Sequence, residues 1–461
     1  MVHDPNDNQI SPLMQELSSY MAGALRRKLP EEVAEQARIH LVDTFAAMIS
    51  GTRLIPGKRA IAYVKTLGGN LDAGVVGTRI VTSALHAALA NGICGHADET
   101  DDVHAPSRSH PGIANVPAVL AMAERQQASG TALLRAMVLS YDISTRVLLA
   151  MKQHLVSRTG HHPSSKGGLF GAAAGAGALL RLDSRKMRYL LSYCAEQAAG
   201  LLIMHRDSKH IEKAFVSGGM PAHNGVAAAQ MVASGFTGVE DVLSGEGNFM
   251  SCYSPDVDGE AMVRGLGKEY EIMRTGIKYW AAGGPIQAPL HVLRDLMQQH
   301  GFKAGDVEKL VARMPDKELP IVDNRDMPDI CVQHLLAVML LDGNVTFATT
   351  HDFKRMTDPK VLELRRHRIQ TVGDASLTDL KLRPWRCAME IKLKDGRVLT
   401  HQTMMAKGGM GNPLTRLEVE EKALDLLAPI LGKKRSLELM SALFNIEKIK
   451  DARVLRELYS A

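Results

Sequence analysis

Apolar residues recur at three- and four-residue spacing through most of the first 270 positions, which predicts one helix after another. The clearest case is VAEQARIHLVDTFAAMISG, where Ala34, Ala37, Leu41, Phe45 and Met48 share one face. Pro30 with Glu31 and Glu32 suits its start, and Gly51 suits its end. The same pattern predicts helices over 82–95, 115–128, 130–150, 167–180, 184–203, 220–234 and 285–299. Small residues crowd the middle ones, as in LFGAAAGAGALL and NGVAAAQMVASG, so these helices can approach closely in a tight core.

The rhythm changes after about residue 276. KLVARMPD, RIQTVGD and CAMEIKLKDGRVLTHQTMMA are shorter and more β-branched, and the last alternates on either side of Asp395-Gly396, a hairpin signature. Helical periodicity returns after Gly411-Asn412-Pro413, where Thr415 and Glu418 form a capping box for VEEKALDLLAPIL. It continues in SLELMSALFNI and ARVLRELYS. The expected fold class is mainly α. A large all-helical domain is built from both chain ends (1–275 plus 411–461), with an inserted smaller α+β lid domain over 276–410.

The 461 residues are 45% hydrophobic and 23% charged, which excludes whole-chain disorder. No uninterrupted apolar run reaches membrane-spanning length, so no membrane partner is expected. The polar start MVHDPNDNQISP lacks the apolar stretch of a secretory signal. Five scattered cysteines without a C-x-x-C pair fit a reduced, cytoplasmic chain and no structural zinc. A net charge of +5 comes from interleaved bases and acids with few aromatics, so no nucleic-acid partner is expected. A locally basic cleft that attracts small anions stays open.

Three polar clusters interrupt the helices. HADETDDVHAPSRSHPG follows an apolar helix, and its His110-Pro111-Gly112 fixes a histidine in a rigid turn. Asp101 and Asp102 can cap amides or orient that histidine. The cluster lacks a ligand spacing such as H-E-x-x-H, so no metal is expected. In the second cluster, Arg158 to Lys166, His161 and His162 point oppositely if the segment is extended. Ser164, Ser165 and Lys166 stand at a helix start whose free N–H groups can receive a substrate carboxylate. Neither a phosphate-binding loop nor a dinucleotide fingerprint is present, so no organic cofactor is expected. In the third cluster, HRDSKHIEKAF, a helical reading puts His205 with Lys209, and Lys209 with Lys213, on one face. Lys278 lies beside a glycine-rich turn at the domain boundary, and His334, taken alone, reads as a core histidine in an apolar helix. Each cluster has a plain alternative as a capping loop or solvated face.

These segments, with VDTFAAMISG, NGVAAAQMVASGFTG, LLDGNVTF and GGMGNPLTRLEVEEK, resemble the MmgE/PrpD family over nearly the whole chain. The family includes 2-methylcitrate dehydratase, cis-aconitate decarboxylase and iminodisuccinate epimerase. The resemblance implies a homodimer and cofactor-free chemistry on a small anionic di- or tricarboxylate. It maps the family's Asp-Asp segment to Asp101 and Asp102, its two Pro-preceding histidines to His110 and His162, and its junction lysine to Lys278. The family lysine before Leu-His-Ala-Gly falls on Ala214, with Lys213 adjacent and Lys209 a turn away. Gly283 and Gln287 stand where histidines are usual, and His334 where the decarboxylase has a tyrosine, so a divergent member is expected.

The expected activity is a carbon–oxygen lyase, a dehydratase or hydratase working by proton abstraction beside a carboxylate. His162 would be the base, His110 the acid and Lys278 the enediolate stabiliser, all converging in one cleft. The same groups suit an epimerase or isomerase, or a decarboxylase. A non-enzymatic ligand-binding or scaffold protein of this fold is the alternative from another class.

Overall fold

The computed structural model describes residues 10–152 and 160–461, so Arg158, at the start of the second polar cluster, lies outside the described residues. The fold is mainly α. Packing divides the chain into two compact units, residues 1–97, 101–275 and 426–461 in the first, and 98–100 with 276–425 in the second.

The first unit is built around one helix. Ahead of the C-terminal helices Lys433–Phe444 and Leu455–Tyr459, its main helices run α1 (Pro12–Gly23), α2 (Glu31–Gly51), α3 (Ile55–Val64), α4 (Ala84–Gly95), α5 (Gly112–Arg125), α6 (Gly130–Ala150), α7 (Pro163–Leu179), α8 (Ser184–Gln197) and α9 (Met220–Ala233). Every residue of α7 is buried, and it packs on α5, α6, α8 and α9. A helix of glycine and alanine can be surrounded this way because it presents almost no side-chain bulk. Helix α7 starts four residues before its sequence-predicted start because Pro163 takes the first helical position and His162 caps it.

Between α8 and α9 the chain departs from the helical reading of His205 to Lys213. A 3₁₀ turn (Leu202–Arg206) is followed by His210 in the left-handed region at φ 60°, and then by a short turn of α-helix (Ile211–Ala214). The break at His210 separates His205 and Lys209 from Lys213, so the i,i+4 face expected for them does not form. Residues Phe215–Gly219 then form a π-turn, a feature often found at functional sites.

The second unit carries a four-stranded sheet in the order β4-β3-β5-β6, with β3 Val307–Pro315, β4 Ile369–Asp374, β5 Cys387–Leu393 and β6 Val398–Thr403, β1 and β2 being the two-residue strands Ala73–Gly74 and Val81–Thr82 of the first unit. β5 and β6 are the expected hairpin, while β3 and β4 pair in parallel. Helices α10 (Gly284–His300) and α11 (Val332–Asp342) pack on this sheet. The expected capping box forms: the Glu418 carboxylate accepts the Thr415 N–H at 2.7 Å, and the Thr415 hydroxyl accepts the Glu418 N–H at 3.3 Å. It opens α12 (Arg416–Leu431).

The π-turn meets α4 backbone to backbone. A Cβ on Gly92 would lie 2.6 Å from the Gly218 carbonyl oxygen, and one on Gly218 would overlap the Gly92 carbonyl. Backbone cannot yield as a flexible side chain does. Gly218→Ala should therefore cost about 1–3 kcal/mol, measured as a lower urea midpoint with an unchanged m-value.

A candidate active site: histidines around Asp101

Helix α4 ends at Gly95, and the chain turns through His96 to Asp102 before returning at His110 to start α5. Asp102 ties this excursion down. Its Oδ2 accepts the Tyr141 hydroxyl at 2.7 Å and lies 3.0 Å from His40 Nδ1, while its Oδ1 accepts the Gly112 N–H at 2.9 Å. A Cβ on Gly112 would sit within 2.9 Å of Tyr141 Oη, Asp102 Oδ1 and Thr44 Oγ1, so only glycine fits. Tyr141 is held in its protonated form by burial and by Asp102.

Asp101, one residue earlier, serves two imidazoles. Its Oδ1 lies 3.1 Å from His96 Nδ1 and its Oδ2 2.8 Å from His110 Nδ1. His110 Nδ1 is also 2.8 Å from the Asp102 carbonyl oxygen. A carbonyl can only accept, so His110 carries its proton on Nδ1. Nε2 takes no part in these contacts, and the side chain keeps 23% of its exposure. The Ser164 hydroxyl accepts the His110 backbone N–H at 3.1 Å, which joins the turn to the start of α7.

His162 has the opposite tautomer. As the cap of α7, its Nδ1 accepts the Ser165 N–H at 3.4 Å. A backbone N–H can only donate, so in the neutral ring the proton lies on Nε2. Burial, reinforced by His96, His110, His205 and Lys213, holds its pKa well below the ordinary value and keeps the ring neutral. His96 is likewise held neutral, chiefly by burial, and its ring lies 5.3 Å from those of both His110 and His210. Lys213, half-buried, acts electrostatically on both His96 and His162, whereas Lys209 is exposed.

The remaining candidates are placed as follows. Ser165 Oγ donates to the carbonyls of His162 and Ala199, and with the Ser165 N–H given to His162 this helix start has one free donor fewer than expected. Lys166 turns to His161, 3.2 Å away, and to the Tyr253 ring, and burial pushes its pKa down to about 8. In the second unit the Lys278 ammonium donates to the Glu99 carbonyl at 2.8 Å. His334, also there, is fully buried with neither ring nitrogen hydrogen-bonded, and burial lowers its pKa to about 4. Among the described residues, no group of three or more His, Cys, Asp or Glu side chains is arranged to hold a metal ion.

Sequence reasoning missed His40, Tyr141 and Thr44 around Asp102, and it did not single out His96 and His210 as site residues. A histidine, an aspartate and a threonine (His40, Asp43, Thr44) in the otherwise apolar stretch 39–49 of α2 were the available signal. No helix among the described residues is long and apolar enough to cross a membrane.

Comparison with known proteins adds a family. The model of the MmgE/PrpD N-terminal domain matches residues 15–261, and that of the MmgE/PrpD C-terminal domain matches residues 280–446. The cis-aconitate decarboxylase of Homo sapiens is 25% identical over 450 residues, covering 93% of this chain and 91% of that protein. The cis-aconitate decarboxylase-like protein oryM of Aspergillus oryzae is 24% identical over 301 residues, 62% of this chain and 61% of that protein.

A neutral buried histidine sets a pH dependence. Its folded pKa lies below the unfolded value, so the unfolded chain binds the proton first as pH falls. The contribution is complete above about pH 6.5 and declines below it. His162→Asn keeps a capping acceptor but cannot titrate. Between pH 7.5 and 5.5 the parent should lose about 1 kcal/mol more stability than this variant, read from denaturant melts at the two pH values.

Proposed function

The chain belongs to the MmgE/PrpD family, and on that premise we propose that it is a cofactor-free lyase that dehydrates a small di- or tricarboxylate by proton abstraction beside a carboxylate. The observation that carries this reading is the pair of opposite tautomers. His110 gives its Nδ1–H to the Asp102 carbonyl, with the Asp101 carboxylate 2.8 Å away, and so offers a lone pair at Nε2 in its neutral form. His162 offers an N–H at Nε2 from a ring that burial keeps neutral.

A proton beside a carboxylate leaves only if the enediolate charge is met as it develops. His110 Nε2 takes the carbon-bound proton. The neutral His162 Nε2–H, at a helix N-terminus, hydrogen-bonds the carboxylate oxygen that gains charge. Neutral imidazoles so placed act as electrophiles. Lys213 adds positive charge nearby. The C–O bond then breaks, and His110 returns its proton to the departing hydroxyl as water, which restores the neutral ring. This assignment differs from the roles first read from the sequence: His110 takes the base role beside its acid role, and His162, whose Nδ1 is committed to the helix, becomes the hydrogen-bond donor to the enediolate instead of the base. Lys278, which the resemblance maps to the family's junction lysine, keeps its proposed role of stabilising the carboxylate or the developing enediolate, tested by the effect of Lys278→Gln on KM and kcat.

A second reading is favoured by the names of the relatives. Loss of CO2 leaves the same carbanion-like intermediate, which the protonated His110 would quench at carbon. The homodimer implied by the resemblance is part of the proposal, and sedimentation velocity tests it.

Incubation in deuterated buffer with hydroxy-, amino- and unsaturated di- and tricarboxylates distinguishes these outcomes. Water loss or addition supports the dehydratase, CO2 release the decarboxylase, and deuterium entry with inverted configuration an epimerase. His110→Asn should lower kcat about 10²–10⁴-fold and His162→Asn about 10²–10³-fold. If no acid exchanges a carbon-bound proton, the reading is wrong.

A further inference from the structure

The turn Asp98–Thr100 belongs by packing to the second unit, although the residues on either side of it belong to the first. Three cationic side chains of residues 276–425 reach this turn. Lys278 Nζ donates to the Glu99 carbonyl and Lys422 Nζ to the Thr100 carbonyl, each at 2.8 Å. His351 Nε2 lies 3.1 Å from Asp98 Oδ2. Asp98 Oδ1 accepts the Thr100 N–H at 3.0 Å, which closes the turn on itself.

The contacts of His351 fit a charged ring. Nδ1 lies 2.8 Å from the Phe347 carbonyl oxygen, which can only accept, so Nδ1 carries a proton. A lone pair on Nε2 would then face a carboxylate oxygen at 3.1 Å and repel it, so Nε2 carries one too. Burial alone would lower the pKa of His351, but Asp98 and Asp329 raise it to about 9. The groups of this ring and turn include the anions Asp98, Glu99 and Asp329, the Thr350 hydroxyl, and the cations Lys278 and Lys422.

Buried ion pairs contribute little net stability, and their best-attested use is to fix register. Here the fixed element lies just before Asp101, the carboxylate that orients His110. We propose that His351 is a positioning residue: its imidazolium pins Asp98, and through the next three peptide units it sets the Asp101 carboxylate against His110. The proposal rests on the reading of His110 as the proton-transferring group, but its test does not require turnover.

The full chain labelled in its histidines with ¹³C and ¹⁵N reports His110 directly by NMR. His351→Gln keeps a donor and removes the charge, and His351→Lys restores the charge. The His110 titration midpoint should move by at least about half a pH unit in His351→Gln and return toward the parent value in His351→Lys. In the unmodified chain, the His110 signals should show a second inflection as His351 loses its proton near pH 9. Where a substrate is found, His351→Gln should lower kcat about tenfold with little change in KM. A folded His351→Gln whose His110 titrates as in the parent overturns the proposal. Should that variant not fold, an unmodified chain without the second inflection overturns it equally. A shifted His110 with no acid turned over would leave the positioning role standing and remove the lyase reading; turnover with an unmoved His110 would do the reverse.

Discussion

The candidate site depends on one buried carboxylate. Asp102 gathers Tyr141 from α6, His40 from α2 and the first N–H of α5 onto its two oxygens. An isolated buried carboxylate is costly, and these partners offset that cost only if all stay in place. The loop between α4 and α5 therefore has one geometry in which its charge is matched. That geometry also aims the Asp102 carbonyl at His110 Nδ1 and leaves Asp101 between His96 and His110. The requirement for glycine at position 112 follows from the same contact, since any side chain would displace a partner of the carboxylate.

Around this anchor the chain arranges two histidines in complementary states. The difference between them is set by backbone groups, which have no choice of role. A carbonyl takes the proton side of His110, and an amide takes the lone-pair side of His162. Burial then removes the charged form of His162 from the accessible range. The buried helix α7, made of small residues, matters to this chemistry because its first turn supplies both the amide that fixes His162 and the Ser164 hydroxyl that holds the His110 backbone.

Much of this was legible because it is local. The helix over 130–150, the hairpin around Asp395-Gly396 and the Thr415–Glu418 capping box each depend on residues within a few positions of one another, and each appears as read. His110 and His162 stood out because proline follows each. What was not legible is long-range. His40 and Tyr141 lie 62 and 39 positions from Asp102, and the parallel pairing of β3 with β4 joins strands separated by α11 and several shorter helices. The break at His210 was hidden because a left-handed residue leaves no hydropathy signal. The helices Pro12–Gly23 and Ile55–Val64 were also passed over, the second being short with an exposed face. The tautomers could not be read at all, since they are set by which backbone group each ring meets.

The central claim is that His110 and His162 hold their protons on opposite nitrogens, and ¹⁵N NMR of the histidine rings at neutral pH measures this directly. The account predicts a protonated Nδ1 in His110 and a neutral His162 with its proton on Nε2. A His162 ring protonated on Nδ1, or a neutral His110 with its proton on Nε2, would contradict it.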